Sequence, residues 1–209
     1  MASRIPLNAA EESRLLAAIS HWPLRDQLLV EFGLSTGFRA HELCSVRVGQ
    51  VWDGTAVFYE VTVSRRNLKG GCGVRRRAIR SRTVPLGDRL RANLNNYLRS
   101  RRDHQGGQLL AVEPLFKSAK STAPGGSITP WTINYLVKGA CRLAGLPANG
   151  RYGSHSLRKS FAQRIYRSSG NNLIITMMAM NHSDVRVTQR YLPVEADEVR
   201  SAILAAQGA

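Results

Sequence analysis

The sequence has few cysteines, no long apolar run and few acidic residues. Its three cysteines are widely spaced and form neither a CxxC pair nor a cysteine–histidine pattern, which disfavours both a disulfide framework and a zinc site. No apolar stretch approaches the roughly 20 residues that a bilayer span needs, and the N-terminus lacks the apolar core of a secretory signal. We therefore expect a cytoplasmic protein without a membrane segment.

The scarcity of acidic residues leaves a strong positive charge. The chain holds 30 Lys and Arg against 14 Asp and Glu, a formal net charge of +16, which favours a polyanionic partner. Nucleic acid is the first candidate, while an anionic membrane surface and a solvated basic face remain alternatives. Nucleic acid is favoured by segment 65–82, which holds eight cations in eighteen residues and no acid. We expect this segment to face phosphates, and the predicted DNA contacts are Arg65, Arg66, Arg75, Arg76, Arg77 and Arg80.

Length and apolar spacing predict the fold. A chain of 209 residues suffices for one core, and we predict a single domain over 1–209 without a separate N-terminal domain. Strand signals at 56–63 and 83–86 flank a glycine-rich basic stretch, which predicts an antiparallel hairpin. Predicted helices cover 9–21, about 38–46, 154–168 and a candidate docking helix in 194–209, and others begin at Pro23, Asp88, Thr129-Pro130, Asn172 and Asp184. The fold class is therefore α+β, mainly helical, with a small antiparallel sheet.

Several polar residues are not explained by the periodicity of the core. They are Arg39, Lys69, His155, Arg158, His182 and Tyr191. Cleavage of a phosphodiester needs a nucleophile, cations that neutralise the transition state, and an acid that protonates the leaving alkoxide. Residues suited to all three tasks occur here, so the sequence suggests a phosphoryl-transfer site. By contrast, Met177, Met178 and Met180 are predicted to fill the core rather than to bind a cofactor.

The spacing of His155 and Arg158 supports this interpretation. The two residues lie three positions apart on a predicted helix, so they share one face and could bind the same phosphate. A guanidinium binds two phosphate oxygens at once and stays protonated. Lys69 suits another task, because neighbouring cations lower the pKa of an ammonium group and allow it to donate a proton.

The same residues resemble the motifs of the tyrosine recombinases. Segment 35–43, S-T-G-F-R-A-H-E-L, resembles their T-G-x-R-x-x-E-L box, and 155–158, H-S-L-R, resembles their H-x-L-R box. The sequence N-H-S at 181–183 stands where the family has G-H-S, and Tyr191 follows nine residues after the histidine. Lys69 and segment 82–86 resemble the β-hairpin lysine and its closing strand. The resemblance covers the chain from about residue 8 to residue 193.

The resemblance implies a role for each of these residues. Arg39 and Arg158 would hold non-bridging phosphate oxygens, Lys69 would be the general acid, and His155 would handle the tyrosine proton. His182 would stabilise the transition state, and Tyr191 would attack to give a 3′-phosphotyrosine. Neither ATP nor a metal or other cofactor is then required.

Two further positions complete these expectations. Asn181 replaces the glycine common before the second histidine, which is a mild change if its backbone is left-handed. We expect Glu42 to orient nearby basic side chains rather than take part in the chemistry.

The implied function is site-specific recombination or integration of double-stranded DNA, by a homotetramer on that DNA. Segment 194–209 would dock on a neighbouring subunit. Two rivals remain at this stage. A type IB topoisomerase shares the chemistry but relaxes one strand without partner exchange, and a non-catalytic DNA-binding module would need only the basic hairpin.

Overall fold

The computed structural model describes residues 4–68, 80–120, 126–147, 150–192 and 196–208. The chain groups into two compact units, the first ending at Phe161 and the second beginning at Ala162. In the part of the chain that the structure describes, no helix is both long and apolar enough to cross a membrane.

The first unit is mainly helical. Its elements are α1 (Ala9–Ala18), α2 (Leu24–Thr36), α3 (Ala40–Ser45), β1 (Glu60–Val63), β2 (Arg82–Pro85), α4 (Asp88–His104), α5 (Pro130–Leu143) and the start of α6 (Ser154–Ser168). Local signals begin several of these helices where the sequence predicts. Asn8 and Glu11 form a capping box that begins α1, and Thr129 caps α5 while Pro130 occupies its first turn.

The core of the first unit lies between its helices. Helix α2 packs against α4 and α5, and α1 packs against α5. Phe32 of α2 is fully buried and contacts the rings of Phe38 and Phe116, at centroid separations of 6.0 and 5.7 Å. The loop after α2 is therefore anchored to the core by an aromatic side chain.

The small sheet consists of β1 and β2, paired antiparallel. Val61 faces Val84, and Val63 faces Arg82. Residues directly opposite each other in an antiparallel pair share one face of the sheet, and here Val61, Val63, Val84 and Arg82 are all buried. The register therefore directs Arg82 into the core.

The second unit contains the end of α6, followed by α7 (Leu173–Ala179), α8 (Val185–Gln189) and α9 (Ala196–Ala206). Helix α7 packs against α8. Asn172 caps α7 and Asp184 caps α8 through side-chain oxygens that accept backbone N–H bonds. These are the two positions at which the sequence predicts new helices.

The predicted α+β, mainly helical fold is confirmed, and the predicted bounds of α6 agree with the structure. Three expectations are corrected. The first helix ends at Ala18 rather than at residue 21. The first strand begins at Glu60 rather than at residue 56, because only Glu60–Val63 finds partners in β2. The expectation that all three methionines fill the core is wrong for Met178, which is 71% exposed, whereas Met180 is fully buried.

Candidate active site

The turn between α2 and α3 positions the first candidate residue, Arg39. Gly37 caps the C-terminus of helix α2: its φ of 60° is left-handed and its N–H donates to the Gly33 carbonyl. A β-carbon at this position would overlap the ring of Phe161. Phe38 is fully buried directly after this turn. The chain between α2 and Arg39 therefore has little freedom, and Arg39 emerges at the N-cap of α3.

Glu42 lies at the centre of a group of arginines. Its carboxylate accepts hydrogen bonds from the Arg39 backbone N–H at 2.9 Å and from Arg39 Nη1 at 2.8 Å. The nearest guanidinium nitrogens of Arg158 and Arg82 lie 3.8 and 3.9 Å from Glu42 Oε2. We call Arg39, Arg82, Arg158 and Glu42 the arginine cluster. The structure supports the expectation that Glu42 orients basic side chains.

The arginine cluster is buried and positively charged. The side-chain exposure is 26% for Arg39, 3% for Arg82 and 1% for Arg158 and Glu42. The three guanidinium groups carry three positive charges and the Glu42 carboxylate carries one negative charge. The arginine cluster therefore has two positive charges in excess. Buried charge is costly unless it is compensated, so the site is suited to an anion.

Arg82 is held against the α2–α3 turn. Its Nη2 donates to the Thr36 carbonyl at 2.7 Å, and its Nη1 lies 3.3 Å from the Gly37 carbonyl. Its guanidinium also packs over the rings of Phe38 and Phe161, 5.1 and 5.7 Å from their centroids. Burial, followed by the charge of Arg158, lowers the pKa of Arg82 to about 9. The group therefore stays protonated at neutral pH.

Helix α6 brings His155 and Arg158 close to the turn between α2 and α3. Arg158 Nη1 donates to the Gly37 carbonyl at 2.6 Å, so the helix is tied to the turn that carries Arg39. His155 lies one turn before Arg158, where part of its side chain is exposed to solvent and part is covered. Its pKa is lowered from the ordinary value, first by partial burial and then by the charges of Arg158 and Arg39. A neutral imidazole therefore stands beside the arginine cluster at neutral pH.

His182 is positioned by the C-terminus of α7. Asn181 has a φ of 52° and its N–H donates to the Met178 carbonyl, while the His182 N–H donates to the Met177 carbonyl. These two bonds form a Schellman motif, which requires a left-handed residue at the place of Asn181. The structure thus bears out the expected tolerance for asparagine. The imidazole is 8% exposed, and its Nδ1 lies 2.9 Å from Thr188 Oγ1 of α8.

Tyr191 follows α8 and lies next to His182. Its backbone N–H donates to the Thr188 carbonyl at 2.9 Å, so one residue of α8 contacts both the histidine and the tyrosine. The two rings are 5.3 Å apart between centroids and inclined by 54°. The predicted pair of histidine and tyrosine is therefore adjacent in space within the second unit.

The candidate residues thus form two groups. Arg39, His155 and Arg158 come together in the first unit, and His182 and Tyr191 in the second. Lys69 lies outside the described residues. Over the described ranges, which omit 69–79 and shorter stretches, the structure brings no three potential metal ligands (His, Cys, Asp or Glu) together.

The predicted DNA contacts are partly described. Arg65, Arg66 and Arg80 are exposed, as a phosphate contact requires. Arg75, Arg76 and Arg77 lie outside the described residues. The expectation that the whole segment 65–82 faces phosphates is wrong for Arg82, because its place in the sheet directs the side chain inward.

Sequence reasoning missed two features of this unit. One is Arg82, whose burial is signalled by its alternation with Val84 and Leu86 along the strand.

The other is the outer face of α5, where Trp131 and Tyr135 are 73% and 61% exposed and stack at 5.5 Å. Lys138 and Arg142 continue this exposed face along the helix. Spacing opposite the buried Ile133 and Val137 would have identified it.

A family model described as "Phage integrase family" matches residues 6–198. The chain belongs to the phage integrase family. The match spans the arginine cluster, the His155–Arg158 turn and the pair of His182 and Tyr191.

Curated relatives of this phage integrase family member are recombinases. The chain is 28% identical over 197 residues to tyrosine recombinase XerA of Pyrococcus furiosus, covering 94% of this chain and 60% of that protein. It is 30% identical over 169 residues to tyrosine recombinase XerC of Xylella fastidiosa, covering 80% of this chain and 48% of that protein. The chain thus spans about half to 60% of the length of these relatives.

Solved structures share the family fold. The crystal structure of XerA recombinase matches with a TM-score of 0.71 and 20% identity, over 99% of this chain and 64% of that one. A post-cleavage complex of XerH site-specific recombinase with its difH substrate matches with a TM-score of 0.69 and 22% identity, over 95% of this chain and 51% of that one. The helices and the two-stranded sheet of this integrase family member therefore follow an established fold.

Proposed function

We propose that this chain is the catalytic region of a site-specific tyrosine recombinase, which cleaves and rejoins double-stranded DNA through a 3′-phosphotyrosine on Tyr191. The arginine cluster is the observation that carries the proposal. Two arginines from separate motifs of the sequence share Glu42 and leave an excess of positive charge. The family membership and the adjacency of His182 and Tyr191 support the same chemistry.

In the proposed reaction, the Tyr191 oxygen attacks the scissile phosphorus and the bond from phosphorus to the 5′ oxygen breaks. His155 accepts the tyrosine proton, and Lys69 donates a proton to the leaving 5′ oxygen. The products are a 3′-phosphotyrosine and a 5′-hydroxyl. A second 5′-hydroxyl reverses the step and joins a new partner strand. Each step exchanges one phosphoester for another, so the cycle needs no ATP.

Arg39, Arg158 and His182 stabilise the negative charge that develops on the non-bridging oxygens. Arg39 is the most exposed of the three cationic members of the arginine cluster and therefore meets the phosphate first. Arg158 is almost completely buried, with 1% of its side chain exposed.

Two surfaces of the first unit are suited to the duplex around the scissile phosphate. Arg65, Arg66 and Arg80 supply exposed charge for the backbone, and we include Arg75, Arg76 and Arg77 in the same contact. The outer face of α5 offers Trp131 and Tyr135 followed by two cations.

We further propose assembly into a homotetramer on DNA, a docking role for 194–209, and a cytoplasmic, DNA-associated location.

A trapping experiment tests the proposal. A duplex nicked just beyond the scissile position loses its short 5′-hydroxyl fragment after cleavage, so the covalent intermediate accumulates. The 209-residue chain is expected to form an adduct that survives denaturing electrophoresis, and Tyr191→Phe is expected to form none while binding the duplex with unchanged affinity. An adduct that persists in Tyr191→Phe, or its absence with every member of a pool of natural attachment sites, would overturn the proposal.

A second assay separates recombination from strand relaxation. A plasmid with two copies of the trapped site is expected to give recombinant products in the presence of the chain. Relaxation of supercoils without any recombinant product would instead favour a type IB topoisomerase. Binding without adduct or relaxation would favour a non-catalytic DNA-binding module.

A further inference from the structure

Arg82 stands outside the residues to which the proposed reaction assigns a role. It belongs to the small sheet, whose inner face otherwise carries Val61, Val63 and Val84. An arginine on an apolar face needs compensating partners. Its partners include the Thr36 and Gly37 carbonyls and Glu42, which surround the turn that carries Arg39.

The contacts of Arg82 overlap with those of both phosphate-binding arginines. Arg82 and Arg158 donate to the same Gly37 carbonyl, at 3.3 and 2.6 Å. They also approach the same oxygen of Glu42, whose other oxygen accepts from Arg39 Nη1. A displacement of Arg82 would therefore change the surroundings of Arg39 through the turn and those of Arg158 through the shared acceptors.

The charge of Arg82 acts in the same direction. Glu42 alone would largely balance one of the two phosphate-binding arginines, whereas a third guanidinium competes for that carboxylate. Because Arg82 competes for the Glu42 carboxylate, Glu42 binds Arg39 and Arg158 less strongly. Both effects favour an incoming phosphate over the internal ion pair.

We propose that Arg82 is a positioning residue of the recombinase site: it fixes the α2–α3 turn and shares Glu42, and thereby sets Arg39 and Arg158 for the non-bridging oxygens. The inference rests on the proposed function and adds a residue to it. Arg82 touches no reacting atom. Its effect reaches the phosphate only through the other two arginines.

The test compares Arg82→Met with Arg82→Lys, which keeps the charge but cannot bond both carbonyls and Glu42 in a planar fork. Arg101→Met is the matched control. Arg101 is also nearly buried, pairs with Glu113 at 2.6 Å and donates to the carbonyls of Pro114 and Leu115. The control therefore removes the same kinds of bonds outside the arginine cluster.

The measured quantity is the single-turnover rate of adduct formation at saturating chain, on two nicked duplexes. One carries the ordinary scissile phosphodiester, and the other a neutral methylphosphonate at that linkage. Arg82→Met is expected to cleave the phosphodiester slower by on the order of 100-fold, as for a small misplacement of binding groups. Its DNA affinity is expected to match that of the parent chain, and Arg82→Lys is expected to recover part of the rate.

The neutral linkage distinguishes positioning from a merely structural role. Removing the phosphate charge removes most of the need for well-placed arginines, so the rate deficit of Arg82→Met is expected to shrink strongly on methylphosphonate. An equal deficit on both linkages, an equal deficit in Arg101→Met, or no deficit at all would overturn the inference. If Arg82→Met does not fold, the same comparison of the two linkages with Arg82→Lys decides.

The two proposals fail in different ways. If the parent chain forms no Tyr191-dependent adduct, the proposed function fails. If the parent chain forms the adduct and Arg82→Met forms it at the parent rate, only the role of Arg82 fails.

Discussion

Glu42 determines how much positive charge the arginine cluster can hold. It is 1% exposed, accepts two hydrogen bonds from Arg39 and lies within 4 Å of Arg82 and Arg158. Because a buried charge without its partner is strongly destabilising, the carboxylate is needed for the fold as well as for the site. The two demands conflict, since each bond to Glu42 competes with a bond to phosphate.

The first prediction concerns this carboxylate. Glu42→Gln should lower the free energy of unfolding by about 3–5 kcal/mol, the range for breaking a buried ion pair, as measured by urea denaturation. Asp103→Asn is the control, because the Asp103 side chain is 67% exposed and pairs with Arg102 at the surface. That change should cost about 0–1 kcal/mol. Equal effects of the two substitutions would contradict the central place of Glu42.

The second prediction concerns His155 and pH. Its pKa lies below the ordinary 6.5 because partial burial and nearby arginines disfavour the protonated ring. A general base must be neutral, so activity should rise as pH increases through this lowered pKa and be level at neutral pH. We expect the second-order rate of adduct formation, which reports the free enzyme, to fall only below about pH 6.5.

His155→Gln provides the control for the pH profile. It should lose the acidic limb and react more slowly by on the order of 100-fold, a usual contribution of a general base. A limb centred above pH 7, or an unchanged limb in the variant, would assign the titration to another group.

At the scale of elements, α5 presents a face whose use is open to test. Trp131 and Tyr135 are stacked in solvent, and Lys138 and Arg142 follow on the same side. Exposed apolar surface rimmed by polar residues is a common feature of interaction sites. The cations beside it favour a polyanion.

The third prediction follows from this face. Replacing Trp131 and Tyr135 together by alanine should weaken binding of the target duplex roughly tenfold, about 1.4 kcal/mol, as measured by fluorescence anisotropy. Val112→Ala is the control, since Val112 and Trp131 are both 73% exposed. Unchanged affinity in the double variant would show that the face serves something other than DNA.

Elements also show how far sequence reasoning reaches. Helix α6 was predictable because Leu157, Phe161 and Ile165 recur at helical spacing within Ser154–Ser168. The exposure of Met178 was not predictable, because spacing identifies the members of an apolar face but not whether another element covers that face. Arg39, His155 and Arg158 could be predicted from motif types. The convergence of Arg39 and Arg158 on Glu42 depends on tertiary packing between segments far apart in the chain, and so does the position of Arg82.

The net charge of +16 of the whole molecule dominates its expected binding to DNA. A protein that neutralises phosphates releases counterions, so its affinity falls as salt rises, with a slope of about 0.9 for each contact on a double-logarithmic plot. Arg65 and Arg66 are exposed beside the small sheet. They are therefore suited to such contacts.

The fourth prediction concerns this salt dependence. Arg65→Gln and Arg66→Gln together should reduce the slope by about 0.9 for each phosphate that the variant no longer neutralises, as measured by titrations over a range of NaCl concentrations. Arg14→Gln, at an exposed position of α1, should leave the slope as it is. An unchanged slope in the double variant would exclude these arginines from the DNA contact.

We propose that Tyr191, Arg39 and Arg158 act on one phosphate. A structure of the chain trapped on a nicked duplex tests this proposal by showing which side chains contact the phosphate. We predict a bond from the Tyr191 oxygen to the 3′ phosphorus, with guanidinium nitrogens of Arg39 and Arg158 about 2.7–2.9 Å from its non-bridging oxygens. A phosphorus bound to Tyr191 but out of reach of both arginines would contradict the proposed site.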